Sequence, residues 1–453
     1  MSTFKVYARW RPLPPNEDET QRHEITHEYN TCSNNNEPKT RISITSPSSI
    51  AKGSWKSNFS FDTIFHPTDT NHTVSTHLLP PILPTILAGK TANFFAYGHS
   101  GSGKTHTMIG YDFTHDTQFG LCLAAARSLS TALEELNTRD ATVQFGLGLR
   151  IFELRKNIAF DLLNQRNECF VREGGEKKVY IRGETEMLEG GKVRVRPIAT
   201  VPCWGFEEFL RELIGGLALR ETGSSTIHDL SSRTHAVIEI EIVTRELLAA
   251  RNEIVECQSA LVPIGKHATD VYIEEQMRAI IRTEDGGYVP NPEYQVDQDR
   301  IDAAEAKKVE FEARVQAAVV KESAVLDATA ARHPCIGGKL VFVDLAGAEY
   351  FSSGGASAVA ERTLSTQERQ QGRQINTDLL ALKEVIRARA LGKSRIPYRS
   401  SPLTMVLREH FEAEGDTQSA MILTVSPEAS QFASTVNTLK YGDLLALPGA
   451  NRR

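Results

Sequence analysis

The chain has 453 residues, 57 acidic against 51 basic side chains, a formal charge of −6 and 40% hydrophobic residues. That length suits two or three ordinary domains or one large α/β domain, and the apolar share excludes a wholly disordered, collagenous or disulfide-scaffold chain. The six cysteines are far apart, with no CxxC pair and no metal-ligand spacing, which points to a reducing, cytosolic or nuclear setting.

The opening MSTFKVYARWRP lacks the charged-then-apolar layout of a secretion signal. Residues 4–9 alternate Val and Tyr with polar side chains and predict a strand. Residues 33–56 are rich in Asn, Ser and Lys and read as a mobile loop or ribbon. The most apolar stretch, 78–98, is interrupted by Pro80, Pro81, Pro84 and Lys90. A membrane helix needs about 20 uninterrupted apolar residues, so a soluble protein is expected. Within that stretch TANFFAY (91–97) is a compact apolar run ending at Gly98, hence a buried strand. Helical patterns at 120–136 and 205–217 alternate with strand patterns at 148–154, 235–243, 340–343 and 420–425. Such alternation predicts a layered α/β sheet. Between 246 and 335 the composition shifts to Ala, Glu, Lys and Gln. Residues 299–329 predict one long helix with Ile301, Val309, Phe311, Val315 and Val319 on a loose stripe. Two readings stand for this segment: a helical hairpin packed on the body, or a solvated, partly disordered insertion.

Gly98-His99-Ser100-Gly101-Ser102-Gly103-Lys104-Thr105 matches G-x-x-x-x-G-K-[ST] in full, after a buried strand and before a helical run. The glycines let backbone N–H groups wrap a β-phosphate, and the helix start favours negative charge. Lys104 would bridge the β- and γ-phosphates and Thr105 would ligate Mg2+. Ser231-Ser232-Arg233-Thr234-His235 is a polar cluster just ahead of a strand, and Asp344-Leu345-Ala346-Gly347-Ala348-Glu349 closes the strand at 340–343. An acidic residue at a strand end beside the P-loop strand can hold the Mg2+ shell through water. The DxxG spacing puts the Gly347 N–H near the γ-phosphate.

In this order the three segments resemble the P-loop, switch I and switch II of the kinesin motor domain. Ala8-Arg9-Trp10-Arg11-Pro12 looks like that family's RxRP, and Phe95-Ala96-Tyr97-Gly98 leading into Lys104-Thr105-His106-Thr107-Met108 is close to its most specific signature. Ile151-Phe152-Glu153-Leu154 with Asp161-Leu162-Leu163 resembles its strand–turn element, and residues 375–382 (INTDLLAL) its relay helix. Residues 397–404 (PYRSSPLT) and 438–441 (TLKY) resemble two further motifs. The resemblance implies a P-loop NTPase-type α/β fold, a central mostly parallel sheet with helices on both faces, as in kinesin and myosin. It spans 1–453 as one motor domain with 246–335 as an insertion.

It also implies roles. Arg9, Arg11, Pro12 and His106 would line the base of ATP, and Gly98, His99, Ser100, Gly101, Ser102, Gly103, Lys104 and Thr105 its phosphates. Thr105, Ser232 and Asp344 would hold Mg2+, the last through water. Arg233 and Glu349 would form the ion pair that latches switch I to switch II, with Ser232 and Gly347 on the γ-phosphate. The implied activity is a microtubule-dependent ATPase that moves along or depolymerises microtubules, in the cytoplasm on the cytoskeleton. Residues 382–388 and 437–441 look most like the internal-motor, depolymerising group.

Tubulin is acidic within this family-derived picture, so a net negative chain needs a local basic patch. Residues 372–408 carry eight basic and two acidic side chains, a local +6 that leaves −12 on the remainder. Lys383, Arg387, Lys393, Arg395, Arg399 and Arg408 are the expected contacts. No aromatic interleaving suggests nucleic acid, and no heptads follow Tyr441, so no coiled coil is expected. His228 stands where the family has Asn, Ala348 where it has Ser, Pro402 where it has Lys and His99 where it has Gln. These departures keep open a second reading, a nucleotide-binding microtubule binder without productive motility. A third, a GTPase, lacks its NKxD guanine reader here.

Overall fold

The structure is a computed structural model; it describes residues 4–13, 24–30, 39–46, 53–155, 158–174, 179–189, 192–220, 233–283, 286–348, 366–412 and 418–445. The chain divides into two compact units: a body (1–181, 198–242, 337–453) and a second unit (182–197, 243–336).

The body begins with β1 (Phe4–Trp10), followed by a ribbon of β2 (Glu24–Asn30), β3 (Lys39–Thr45) and β4 (Ser54–Lys56), paired antiparallel. Of the two readings for 33–56, loop or ribbon, the described residues form the ribbon, with Ile42 and Ile44 fully buried. Strand β5 (Thr63–Phe65) and helices α1 (Asn71–Leu78) and α2 (Leu83–Leu87) lead to β6 (Thr91–Tyr97) and the short helix α3 (Lys104–Met108). Thr70 caps α1 by accepting from Thr73 N–H; Pro80 and Pro81 fall in the turn between α1 and α2, and Pro84 in the first turn of α2.

Helix α4 (Leu121–Arg139) packs on β7 (Phe145–Arg155), which turns into β8 (Ile158–Asp161) and β9 (Asn167–Glu173). Next come β10 (Val179–Met187), β11 (Val193–Pro197), β12 (Val201–Cys203), α5 (Phe206–Ala218) and β13 (His235–Thr244). The second unit then adds α6 (Arg245–Arg278), the strands β14 (Ile280–Arg282) and β15 (Tyr288–Pro290), and α7 (Gln298–Ala330). The body resumes with β16 (Lys339–Asp344), α8 (Thr366–Ala390), α9 (Pro402–Val406), α10 (Arg408–Glu412), β17 (Gln418–Val425) and α11 (Phe432–Leu445).

In the body's sheet the order is β9-β8-β7-β13-β16-β6-β17-β1-β5. The five strands from β16 to β5 are parallel, while β13 joins β16 antiparallel and β7, β8 and β9 form an antiparallel meander. Parallel strands bury both faces, which is why β6 reads as an unbroken apolar run. Alternation sends Phe94 and Phe95 to opposite faces: Phe94 stacks on Phe342 at 5.4 Å and Phe95 on Phe411 of α10 at 5.6 Å. Phe411 joins Leu379, Leu382 and Ile386 of α8 in the core on that second face.

In the second unit α6 and α7 pack together around Ala268, Val271 and Ala304, with Ile301 against them. Arg251 pairs with Glu322 at 2.9 Å, and Glu275 is held by Arg300 at 2.6 Å and by the Tyr294 hydroxyl. Residues 182–197 belong to this unit, a membership no composition shift announces. Among the described residues no helix is long and apolar enough to cross a membrane.

Candidate nucleotide site

Strand β6 delivers the chain into the loop 98–103, which closes on α3. Gly103 at the start of that helix has φ +99°, a left-handed backbone that L side chains resist. Ser102 Oγ and Thr424 Oγ1, 2.7 Å apart, fasten the loop to β17. Lys104 is buried, and its Nζ donates to the carbonyls of Gly98 (3.2 Å) and His99 (2.8 Å). Burial pulls its ammonium down to about 8, opposed by Asp344 and reinforced by Arg220. It remains a cation at neutral pH.

Asp344 ends β16, whose parallel pairing with β6 sets Asp344 opposite Ala96. The register places this buried carboxylate at the mouth of the loop. Its Oδ2 accepts from Thr105 Oγ1 at 2.8 Å and from Arg220 Nη1 at 3.1 Å. The segment beyond β16 keeps climbing along the loop. Leu345 N–H donates to Ala96 O and Ala348 N–H to Gly98 O, both near 3.2 Å. A Cβ on Gly347 would lie 2.7 Å from Ser100 N, so only glycine allows this backbone approach. A third contact comes from β13: His235 Nδ1 accepts the Ala346 N–H at 3.0 Å.

A GKT loop with a strand-terminal DxxG laid against it, in this strand order, is a nucleotide-sensing arrangement. The family model described as kinesin motor domain matches residues 9–264 and 314–446. The chain belongs to the kinesin motor-domain family. A kinesin-like protein KIN-13A from Oryza sativa subsp. japonica is 29% identical over 444 residues, covering 98% of this chain and 41% of that protein. KIN-13B from Arabidopsis thaliana is 27% identical over 444 residues, covering 98% and 47%. The chain therefore spans less than half the length of these curated relatives. Among solved structures, a fast kinesin superposes with TM-score 0.59 at 21% identity, covering 98% of this chain and 91% of that one. A Kar3-like kinesin motor domain from Ashbya gossypii gives 0.56 at 20%, covering 98% and 99%. A dimer of KIF14 in complex with a microtubule gives 0.58 at 21%, covering 98% and 94%. The family match skips 265–313, which lies inside the second unit.

The expected kinesin site residues are placed unevenly. The 98–105 loop, Asp344 and Gly347 come together as described above. Arg233 is described and half-buried, whereas Ser232, Glu349 and His228 lie outside the described residues. Arg9 is buried: its Nη1 donates to Asn71 Oδ1 (2.7 Å) and Thr107 Oγ1 (2.9 Å), fastening β1 to α1 and α3. Burial pulls its guanidinium down to about 10 against the pull of Asp69. Arg11 bonds Ser426 Oγ at 3.1 Å and Glu428 at 3.2 Å, and Pro12 is exposed. His106 sits half-buried with its ring 5.4 Å from that of Tyr111, and burial together with Arg9 lowers it to about 4. His99 is buried with Nδ1 2.7 Å from Ser100 O, and burial lowers it to about 4. Both rings are neutral at pH 7.

On the basic segment Arg387, Lys393 and Arg395 are exposed and Lys383 is half-buried. Arg399 and Arg408 converge on Glu173 at 2.6 and 3.3 Å, and Arg408 is further tied to Glu412. Glu173 thus cancels part of the charge counted from the sequence.

Three residues of the site escaped the sequence reading. Arg220 just beyond α5 is buried, bonds Asp344 and reaches the Thr234 carbonyl at 3.3 Å. His235 is buried at the start of β13, and accepting at Nδ1 puts its proton on Nε2, 3.9 Å from Asp378 Oδ2 on α8. Burial, aided by Arg220 and Lys104, lowers His235 to about 3; burial raises Asp378 to about 6, partly offset by a bond from Gln374. His235 was quoted only as the tail of a motif, and Asp378 only as a relay-helix position.

Proposed function

We propose that this kinesin-family chain hydrolyses ATP in a cycle governed by microtubules. The observation that carries the reading is the buried Asp344 carboxylate, joined to Thr105 of the P-loop and to Arg220 ahead of switch I. One anionic group so placed senses whether a phosphate-bound cation is present and transmits it to both switch segments.

Phosphates would lie along 98–105, with Lys104 leaving the loop carbonyls for the β- and γ-oxygens. Thr105, Ser232 and Asp344 suit Mg2+, since they offer hard oxygen ligands and Asp344 Oδ1 is buried without a hydrogen-bond partner among the described residues. Bound there, Mg2+ supplies neutralisation of phosphate charge. Arg233 and Glu349 would pair across the γ-phosphate and position the attacking water, Ser232 and Gly347 closing on the same group. Arg9, Arg11, Pro12 and His106 would flank the base.

Release of phosphate removes the Gly347 contact, and the 344–348 segment is then free to move against the loop. Its bond to His235, and that ring's approach to Asp378, give α8 a route by which to feel the change. Lys383, Arg387, Lys393 and Arg395 would meet acidic tubulin, with Arg399 and Arg408 joining once Glu173 yields them. The KIF14 dimer solved on a microtubule and the KIN-13 relatives support a microtubule partner and a place on the cytoplasmic cytoskeleton. The resemblance of residues 382–388 and 437–441 to the depolymerising group favours depolymerisation over travel. The 246–335 segment is an insertion in this motor, a role supported over 265–313 by the gap in the family match.

Co-sedimentation with microtubules under ATP, ADP and a nonhydrolysable analogue tests the reading. Affinity that changes with nucleotide supports it. Constant affinity would leave only a static binder.

A further inference from the structure

Away from the nucleotide loop, β13 and α10 bring three ligand-type side chains together: Glu239, Glu409 and His410. We propose that they form a binding site for a divalent transition ion, Zn2+ foremost, that staples α10 to the strand following switch I. Their candidate ligand atoms all lie within 4.8 Å of one another. His410 Nε2 is 3.3 Å from Glu239 Oε1 and 3.7 Å from Glu409 Oε1. A tetrahedral ion with bonds of about 2.0–2.2 Å spaces its ligand atoms about 3.3–3.6 Å apart, close to those separations. Glu409 is half exposed and can swing to close the remaining gap, leaving a fourth position to water.

The chemistry of the pocket points the same way. His410 is 2% exposed, yet its buried Nε2 makes no hydrogen bond of acceptable geometry to either oxygen. A buried imidazole nitrogen left in this position is open to an electrophile set between the carboxylates. The backbone carrying the ring is anchored, because Asn93 Nδ2 donates to the His410 carbonyl at 2.9 Å. Register places Asn93, Val341 and Glu239 in one row across β6, β16 and β13, so the backbone of α10 is anchored to the row that carries Glu239.

Glu239 is buried and prepared on its other side: Arg150 Nη1 is 3.5 Å from Oε2, and Arg150 Nε donates to Thr200 Oγ1 at 2.6 Å. Outer partners of this kind orient a ligating carboxylate. One imidazole with two carboxylates selects against Mg2+ and Ca2+, which prefer all-oxygen shells, and suits Zn2+. The alternative occupant of the same geometry is a proton on His410, making a buried ion pair.

The 453-residue chain, stripped with chelator and saturated with Mg2+ and ADP to mask the phosphate site, is titrated with Zn2+. The expected result is one equivalent bound per chain, with a rise in Tm and a tetrahedral Co2+ absorption free of thiolate charge transfer. Glu409→Gln, on a half-exposed side chain, should fold normally and weaken Zn2+ by about tenfold or more. His410→Ser should abolish the equivalent. No retained Zn2+, or retention unchanged in Glu409→Gln and His410→Ser alike, overturns the proposal and leaves a Glu239–His410 ion pair.

Discussion

His235 Nδ1 accepts the backbone N–H of Ala346 at 3.0 Å, a buried side-chain bond that ties the start of β13 to the segment beyond β16. Both residues are buried. Replacing His235 by Ala strands that N–H in a dry interior, and a buried donor left unpaired costs about 1–3 kcal/mol. Urea unfolding should show that loss, and His235→Asn, which can still offer an acceptor, should recover part of it.

Arg220 and Asp344 are a buried pair in which neither charge has water to fall back on. Arg220→Met should destabilise the protein by up to about 3–5 kcal/mol, because it removes the ion-pair partner of buried Asp344 and leaves only Lys104 and the Thr105 hydroxyl to offset its charge. The double variant Arg220→Met with Asp344→Leu should recover much of that stability while lacking turnover. Chemical denaturation together with an ATPase assay separates the two effects.

The Asp378 carboxyl, raised by burial to about 6, predicts a pH signature. Its folded value lies above the unfolded one, so the stability it contributes is complete below about pH 4. That contribution is lost as pH rises through about 6. His235, lowered to about 3, stays neutral across this window and supplies no compensating charge. Asp378→Asn should therefore gain Tm relative to the parent between pH 4 and 7, with the difference constant above 7 and vanishing below 4. A flat difference across that range would count against a buried ionisable Asp378.

Microtubule affinity should follow exposure rather than simple charge count. Lys393→Ala and Arg395→Ala remove exposed charges, each worth about 0.2–1 kcal/mol, or about 1.4- to 5-fold. Glu173→Ala should strengthen binding at low salt, since it releases Arg399 and Arg408. Co-sedimentation across a salt series reads all three, and their effects should shrink as ionic strength rises.

The parallel core was legible because two-faced burial leaves unbroken apolar runs, as at Phe94 and Phe95. The P-loop was legible because its glycines and Lys104 are demanded by phosphate geometry. Less was visible where partners are distant in sequence: Arg220 and Asp344 are 124 positions apart, and nothing local marks either as a partner. The antiparallel strands β8 to β12 are short and half polar, so periodicity is weak there. The charge patch on 372–408 was countable, but its neutralisation by Glu173 depends on β9 folding against α9, which charge counting cannot see. Arg9 carried a family role toward the base, whereas its hydrogen bonds here go to Asn71 and Thr107.

Steady-state ATP turnover by the full chain, with and without polymerised tubulin, bears most directly on whether the loop at 98–105 drives a motor. Polymer should accelerate turnover in a saturable way, and Arg233→Ala should cut the accelerated rate by about a thousandfold. Turnover indifferent to every polymer concentration, or untouched in Arg233→Ala, would contradict it.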